Sequence, residues 1–355
     1  MTPFQCSREG GSPARYQATL GPRLRGGTAA VLSKASKFVR RTAVFAGLLA
    51  LAACSGGAQG DQTTLHVGSQ RGGTKAVMIA SGVLEGAPYT IEWSEFPAAQ
   101  HLLEAIGGGA VDVGTAGDAP FMFAYQAGSP VKAVGAHFTA QRPEGALALI
   151  VPAGSPARTL QDLHGKTVAT TRGSVGHYLV IRALAAEKLP PDWIKLSFLA
   201  PGDAKAAFDS GAIDGWSTWS PFLAVGLKGG AHVIADGHDF VRGYSFDVAN
   251  VRAIESKRAQ LADFLVREGR ALEWARTHPD DYAAVLARET GLPIDIARDY
   301  AIKNARLRVP IDDAVIADQQ RVLTDFRNAG ATQGQRPLVA GFDKEFSTTA
   351  LAAVR

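Results

Sequence analysis

The 355-residue sequence predicts an α/β protein built as two similar lobes, and three observations carry that expectation. Short β-branched runs alternate with amphipathic helical stretches from Leu65 to Ala235, the pattern of a parallel sheet with crossover helices. The chain also contains an internal echo. Gly109-Ala110-Val111-Asp112 is followed by Pro120-Phe121, and Gly211-Ala212-Ile213-Asp214 is followed by Pro221-Phe222. Each copy has a helix before it and a short strand after it, at Val131–Val134 and His232–Ala235, as two lobes of one design would have. Finally, 46% hydrophobic residues over this length are enough to fill two cores.

The first part of the chain is set apart by charge. Eight of the 37 basic residues but one of the 33 acidic ones lie in residues 1–53, so that segment is +7 and the remainder is −3. Nothing after Ala53 therefore reads as a nucleic-acid surface. Arg40-Arg41 precede an apolar run, Ala43 to Ala53, which is too short to span a bilayer and suits the core of a secretory signal. The run ends in Leu51-Ala52-Ala53-Cys54, followed by Ser55-Gly56-Gly57. Small residues before a cysteine at this place resemble a bacterial lipobox. That resemblance implies a signal peptide over 1–53, cleavage before Cys54, lipid on its sulfur and a flexible tether over 54–63. A chain starting near Val31 would give the signal an n-region of ordinary length, which would also remove Cys6. The mature chain would then carry one cysteine, already lipidated, and no disulfide.

Taken in order, Leu65–Val67 reads as a first strand, followed by the turn Gly68-Ser69-Gln70-Arg71-Gly72-Gly73 and a helix from about Thr74. A second strand covers Thr90–Phe96 and stops at Pro97; a helix with Leu102, Leu103 and Ile106 then runs into Gly107-Gly108-Gly109. The third strand, Val111–Gly114, leads through Thr115-Ala116-Gly117-Asp118 into a helix, and Val131–Ala136 is the fourth. Ala146–Val151 is an apolar strand closed by Pro152, and Tyr244–Val251 is an extended return segment. From Glu255 onward the periodicity is helical, with stretches centred on Leu261–Trp274, Tyr282–Leu286, Ile296–Ala301 and Ala317–Phe326. The expected division is lobe 1 over 64–150 and 250–346, lobe 2 over 151–249, and a tail over 347–355.

The most informative stretch is Lys166–Ala186. Thr167–Thr170 suits a buried strand, Tyr178, Leu179, Ile181 and Leu184 follow a helical period, and Arg172-Gly173-Ser174-Val175-Gly176 joins the two. A strand-to-helix turn of this kind aims backbone N–H groups and the positive end of a helix dipole at one point, a seat for an anion. Ser174 can add a hydroxyl and Arg172 a charge. The plainer reading is that Ser174 is an N-cap and the glycines only permit the turn. No GK[ST] ending follows, so the stretch is not a P-loop. The eight histidines are scattered, no HExxH or CxxC spacing occurs, and Ser174 with His177 does not form a nucleophile elbow. No metal, cofactor or catalytic residue is expected.

The motifs VGSQRGG, EWSEFPAAQHLLEAI, VDVGTAGDAP, DLHGKTVATTRGSVGHYLVIRAL and APGDAKAAFDSGAIDGWSTWSPF together resemble the solute-binding proteins of ABC importers. The likeness is to the aliphatic-sulfonate and taurine type, which is related to nitrate and thiamine-precursor binders. It implies a type II periplasmic-binding-protein fold, with two α/β lobes, two crossings and a ligand cleft between them. It further implies a monomeric, lipid-anchored periplasmic protein that hands a small organic anion to a permease and ATPase, and no enzyme. By the same likeness the cleft is lined by Gln70, Asp118, Gly173, Ser174, His177, Tyr178 and Trp219, and Arg71 and Arg172 beside them are further candidates for ligand binding. Sulfonate binders tend to have W-D-P where this chain has Trp219-Ser220-Pro221, which weakens the case for an amine on the ligand. The head group stays open among sulfonate, sulfate ester, nitrate and carboxylate. An enzyme on the same fold, a desulfinase, is the rival reading. That type resembles a cysteine-nucleophile enzyme, and the mature chain would have no free cysteine.

Overall fold

A computed structural model of the protein describes residues 64–139 and 144–347. The signal segment, Cys54, the tether over 54–63 and all of the tail except Ser347 lie outside the described residues.

In chain order the elements are β1 (Thr64–Gln70), α1 (Thr74–Ala80), β2 (Thr90–Phe96), α2 (Ala99–Gly108), β3 (Val113–Gly117), α3 (Asp118–Gln126), β4 (Val131–Phe138) and β5 (Leu147–Val151). They continue with β6 (Thr167–Thr170), α4 (Val175–Ala186), β7 (Lys195–Phe198), α5 (Pro201–Asp209), β8 (Gly215–Trp219), α6 (Phe222–Lys228), β9 (His232–Asp236), α7 (Gly237–Phe240) and β10 (Tyr244–Asn250). The C-terminal part is α8 (Val251–Ser256), α9 (Arg258–Thr277), α10 (Pro279–Thr290), α11 (Ile294–Lys303), β11 (Leu307–Val309) and α12 (Asp313–Asn328).

The strands form two sheets, in the orders β11-β4-β10-β3-β1-β2 and β7-β6-β8-β5-β9. Set side by side, the two orders match over five strands, and β11 is an addition at the edge of the first. β2-β1-β3 and β7-β6-β8 are parallel trios, and each is followed by one antiparallel strand, β10 or β5, and then by β4 or β9. The echo read from the sequence is thus a repeat of structure, and its aspartates do the same work twice. Asp112 Oδ2 accepts the His66 N–H at 2.8 Å, and Asp214 Oδ2 accepts the Thr167 N–H at 2.8 Å, each tying one strand to the start of its neighbour.

The lobe boundaries need correcting. β5 bonds to β8 and β9, so Leu147–Val151 belongs to the second lobe, although the sequence division placed it in the first. β10 lies inside the first sheet, between β3 and β4, so lobe 1 resumes at Tyr244 rather than at 250. The chain therefore crosses between β4 and β5 and again between β9 and β10, and each crossing leads into the antiparallel strand of the sheet it enters.

Helices α9, α10 and α11 cover one face of the first sheet, with Leu261, Phe264, Leu265, Ala283 and Leu286 buried against Leu65, Val67 and Met78. The other face carries Leu102, Leu103 and Ile106 of α2 and Phe121 of α3. Helix α12 bridges the lobes. Its Phe326 ring lies 4.9 Å from Phe123 of the first lobe, and 5.3 and 5.4 Å from His177 and Tyr178 of the second.

Candidate functional site

Parallel strands that feed helices point their C-terminal ends to one edge of a sheet, and ligands of such folds gather at those ends. Here β1, β3, β6 and β8 lead into the four turns at Gln70-Arg71, Gly117-Asp118, Arg172–Ser174 and Trp219–Pro221, so the nine predicted residues fall on strand-end turns or the helix starts behind them.

The β6–α4 turn is the most elaborate. Gly173 has φ +66°, which glycine adopts without strain. Its N–H donates to His177 Nδ1 at 3.2 Å, the Ser174 N–H donates to the Thr171 carbonyl at 3.1 Å, and Ser174 Oγ accepts the His177 N–H at 3.1 Å. Ser174 is therefore an N-cap, as the plainer reading had it. The first N–H groups of a helix have no partner within it, and in α4 these include the N–H groups of Val175 and Gly176. Gly176 is also a packing requirement, since a Cβ there would stand 2.7 Å from the Ser217 carbonyl oxygen and from Thr170 Oγ1. His177 is a brace, not a charge. Burial and the nearby Arg172 cation lower its pKa to about 4, so at neutral pH it is neutral and accepts from Gly173.

Arg172 is exposed, with its guanidinium 3.8 Å from the centre of the Phe198 ring, and its carbonyl accepts from Gln100 Nε2 of the first lobe at 3.0 Å. Gly173 likewise faces the other lobe, because a Cβ on it would meet the Phe123 ring at 2.8 Å. The close approach that demands glycine here is to that ring.

Asp118 opens α3 and is 3% exposed. Its carboxylate accepts the Ala119 N–H at 2.7 Å, yet burial outweighs this bond and the neighbouring Gln319 amide and pushes its pKa up to about 6. Asp118 and Tyr178 line a cavity of about 160 Å³ together with Arg182, Phe240, Tyr244 and residues of α12. The Tyr178 hydroxyl donates to Asp325 at 2.8 Å, and Arg182 lies 3.3 Å from the same carboxylate. Gln70, Arg71 and Trp219 do not line this cavity. Gln70 Nε2 donates to the Thr115 carbonyl at 3.2 Å, Arg71 reaches the Thr290 carbonyl at 2.8 Å, and Trp219 ends β8 opposite Leu147. The aromatics Phe121 and Trp216 are core: Phe121 packs on Phe246, and Trp216 on Phe208 and Phe222.

The sequence reading placed a helix over Ala317–Phe326 but missed that it borders the site. Gln319 is fully buried on the face that also buries Val315, Val322, Leu323 and Phe326. A glutamine at an apolar position of an amphipathic helix is the signal that could have found it.

Among the described residues one group has metal-ligand spacing, His137, Asp247 and Glu268. Arg308 already bridges both carboxylates, at 3.0 and 2.6 Å. Burial opposes a charge on His137, but the two carboxylates outweigh it and raise its pKa to about 9. Two cations and two anions thus balance beneath the first sheet, and the cluster is structural.

A family model described as NMT1/THI5 like matches residues 95–282. A protein of Escherichia coli (strain K12), named for binding aliphatic sulfonates, is 33% identical over 281 residues, spanning 78% of this chain and 87% of that protein. The solved alkanesulfonate-binding protein SsuA from Xanthomonas axonopodis pv. citri, bound to MOPS, is 29% identical with a TM-score of 0.71, over 79% of this chain and 98% of that one. The periplasmic aliphatic sulphonate binding protein SsuA from Escherichia coli is 32% identical with a TM-score of 0.64, over 75% and 87%.

Proposed function

Since the chain belongs to the NMT1/THI5-like family, we propose that it is the solute-binding component of an ABC importer and captures a small organic anion, a sulfonate, for uptake as a sulfur source. One observation carries the reading beyond its relatives' names. The Ser174-capped start of α4 offers the N–H groups of Val175 and Gly176 at the positive end of a 12-residue helix, beside a cross-lobe contact. A sulfonate needs several donors in a sheltered place and no strong net charge, and this turn supplies donors of that kind. Gln70, Asp118 and Trp219 on the other strand-end turns, and Tyr178 in the first turn of α4, would wall the ligand, with Arg71 and Arg172 as steering charge. In the cell the protein is periplasmic, held to the membrane by lipid on Cys54, and it delivers its ligand to a permease and ATPase. Cys54→Ala should abolish lipid labelling and move the protein to the soluble fraction; a variant that still partitions with detergent would contradict the anchor.

The binding test is a thermal-shift and calorimetric screen with ethanesulfonate, nitrate and sulfate. At about one hundred times its Kd a ligand adds about 2.7 kcal/mol of stability, which raises the melting temperature by several degrees. Ethanesulfonate should do this at one-to-one stoichiometry and be recovered chemically unchanged. Release of sulfite or sulfate by the purified protein would favour an enzyme instead, and a shift with nitrate alone would move the reading to an inorganic anion.

A further inference from the structure

The peptide unit between Arg172 and Gly173 is held from both lobes. Its N–H donates to His177 Nδ1 at 3.2 Å inside the second lobe. Its carbonyl accepts from Gln100 Nε2, in the first turn of α2 in the first lobe, at 3.0 Å. The bonds from the Ser174 N–H to the Thr171 carbonyl and from the His177 N–H to Ser174 Oγ are, by contrast, local to the turn. The orientation of this one peptide plane matters because Gly173, at φ +66°, has no Cβ to restrict its rotation. Bonds to the plane before it must therefore hold the turn. A second contact from the first lobe falls on the same residue, since a Cβ on Gly173 would meet the Phe123 ring of α3 at 2.8 Å. Val175 and Gly176, whose N–H groups are the proposed seat, follow directly after Ser174.

We propose that Gln100 is a positioning residue for ligand binding: its bond to the Arg172 carbonyl forms as the lobes meet, completes the orientation of the turn before α4, and sets how long the bound anion stays. Gln100 acts through the turn rather than on the anion. With the lobes apart, the Arg172–Gly173 peptide keeps its bond to His177 alone, and the turn can rotate about Gly173. That rotation carries the Val175 and Gly176 N–H groups away from a common point. With the lobes together the plane is fixed at both ends, and the N–H groups stay aimed. The side chain suits this task. Its amide N–H is a donor that a carbonyl can accept, and it is uncharged, so it adds no attraction or repulsion of its own toward an anion. A bond made only after the ligand has entered and the lobes have met acts on dissociation more than on encounter.

The inference rests on the sulfonate-binding reading above, and the experiment separates the two. Stopped-flow tryptophan fluorescence and calorimetry follow ethanesulfonate on the parent, on Gln100→Met, which keeps the length and loses the donor, and on Gln100→Lys, which restores a donor. Loss of one hydrogen bond should raise the dissociation rate of Gln100→Met about fivefold and leave its association rate within about twofold of the parent's. Gln100→Lys should bring the dissociation rate back to within about twofold of the parent's, because the charge it adds acts mainly on association. A Gln100→Met variant that releases ethanesulfonate at the parent's rate would overturn the positioning role while leaving sulfonate capture intact. So would a Gln100→Lys variant that releases it as fast as Gln100→Met, since a residue that merely packs α2 is harmed by either change. Should the variants fail to fold, the parent decides the matter. Its Gln100 side-chain amide protons should exchange with water more slowly at saturation, and exchange unaltered by ligand would overturn the role. No binding of ethanesulfonate by the folded parent would overturn both readings.

Discussion

Asp118 is kept at the expense of stability. Its carboxyl titrates at about 6 in the fold, above the ordinary carboxylate value, because burial disfavours the charged form more than Ala119 and Gln319 favour it. A group shifted in this direction stabilises the fold when protonated, and that contribution is lost as the pH rises from about 4 through 6. At neutral pH the ionised carboxylate thus costs about 3 kcal/mol. Asp118→Asn is expected to raise the urea midpoint of the ligand-free protein at pH 8, with the gain shrinking toward zero below pH 4. A variant no more stable than the parent at pH 8, or a gain independent of pH, would show that the carboxylate is satisfied in place. A buried group held at a cost to stability is a candidate for a ligand contact.

The element that matters most is the β6–α4 unit. Ser174 caps the helix through the His177 N–H, and His177 in turn holds the Gly173 N–H, so three residues lock one turn. Ser174→Ala should therefore lower stability without ligand by about 1 kcal/mol, read by denaturant unfolding. An unchanged midpoint would remove the cap from this picture. This unit was legible in the sequence because its signals are local: a β-branched run, two glycines, a hydroxyl and a helical period within Lys166–Ala186. The echo at Asp112 and Asp214 was legible for the same reason, since each aspartate acts on the strand next to its own. The boundary between lobes was not. Leu147–Val151 and Tyr244–Asn250 are apolar strands that either sheet could accept, and pairing between distant segments settles where they go. Gln319 was hidden likewise, because its place beside Asp118 depends on how α12 crosses both lobes.

At the scale of the whole molecule, two sheets that share a five-strand order are joined where each crossing enters the other lobe's antiparallel strand. Two connections of this kind act as a hinge, and the cross-lobe contacts mark the faces that meet. Gln100 reaches the Arg172 carbonyl, Phe123 lies under Gly173, and Lys228 of α6 pairs with Asp295 of α11 at 2.5 Å. The proposed anion seat at the start of α4 adjoins these contacts, so ligand binding is expected to couple to closure. The most direct measurement is a titration of ¹⁵N-labelled protein with ethanesulfonate, following the backbone amides. A seat at the start of α4 predicts that the Val175 and Gly176 N–H signals move most and saturate at one equivalent, and that Gln100 and Phe123 across the cleft respond with them. Saturable binding that leaves the Val175 and Gly176 amides unmoved would contradict it.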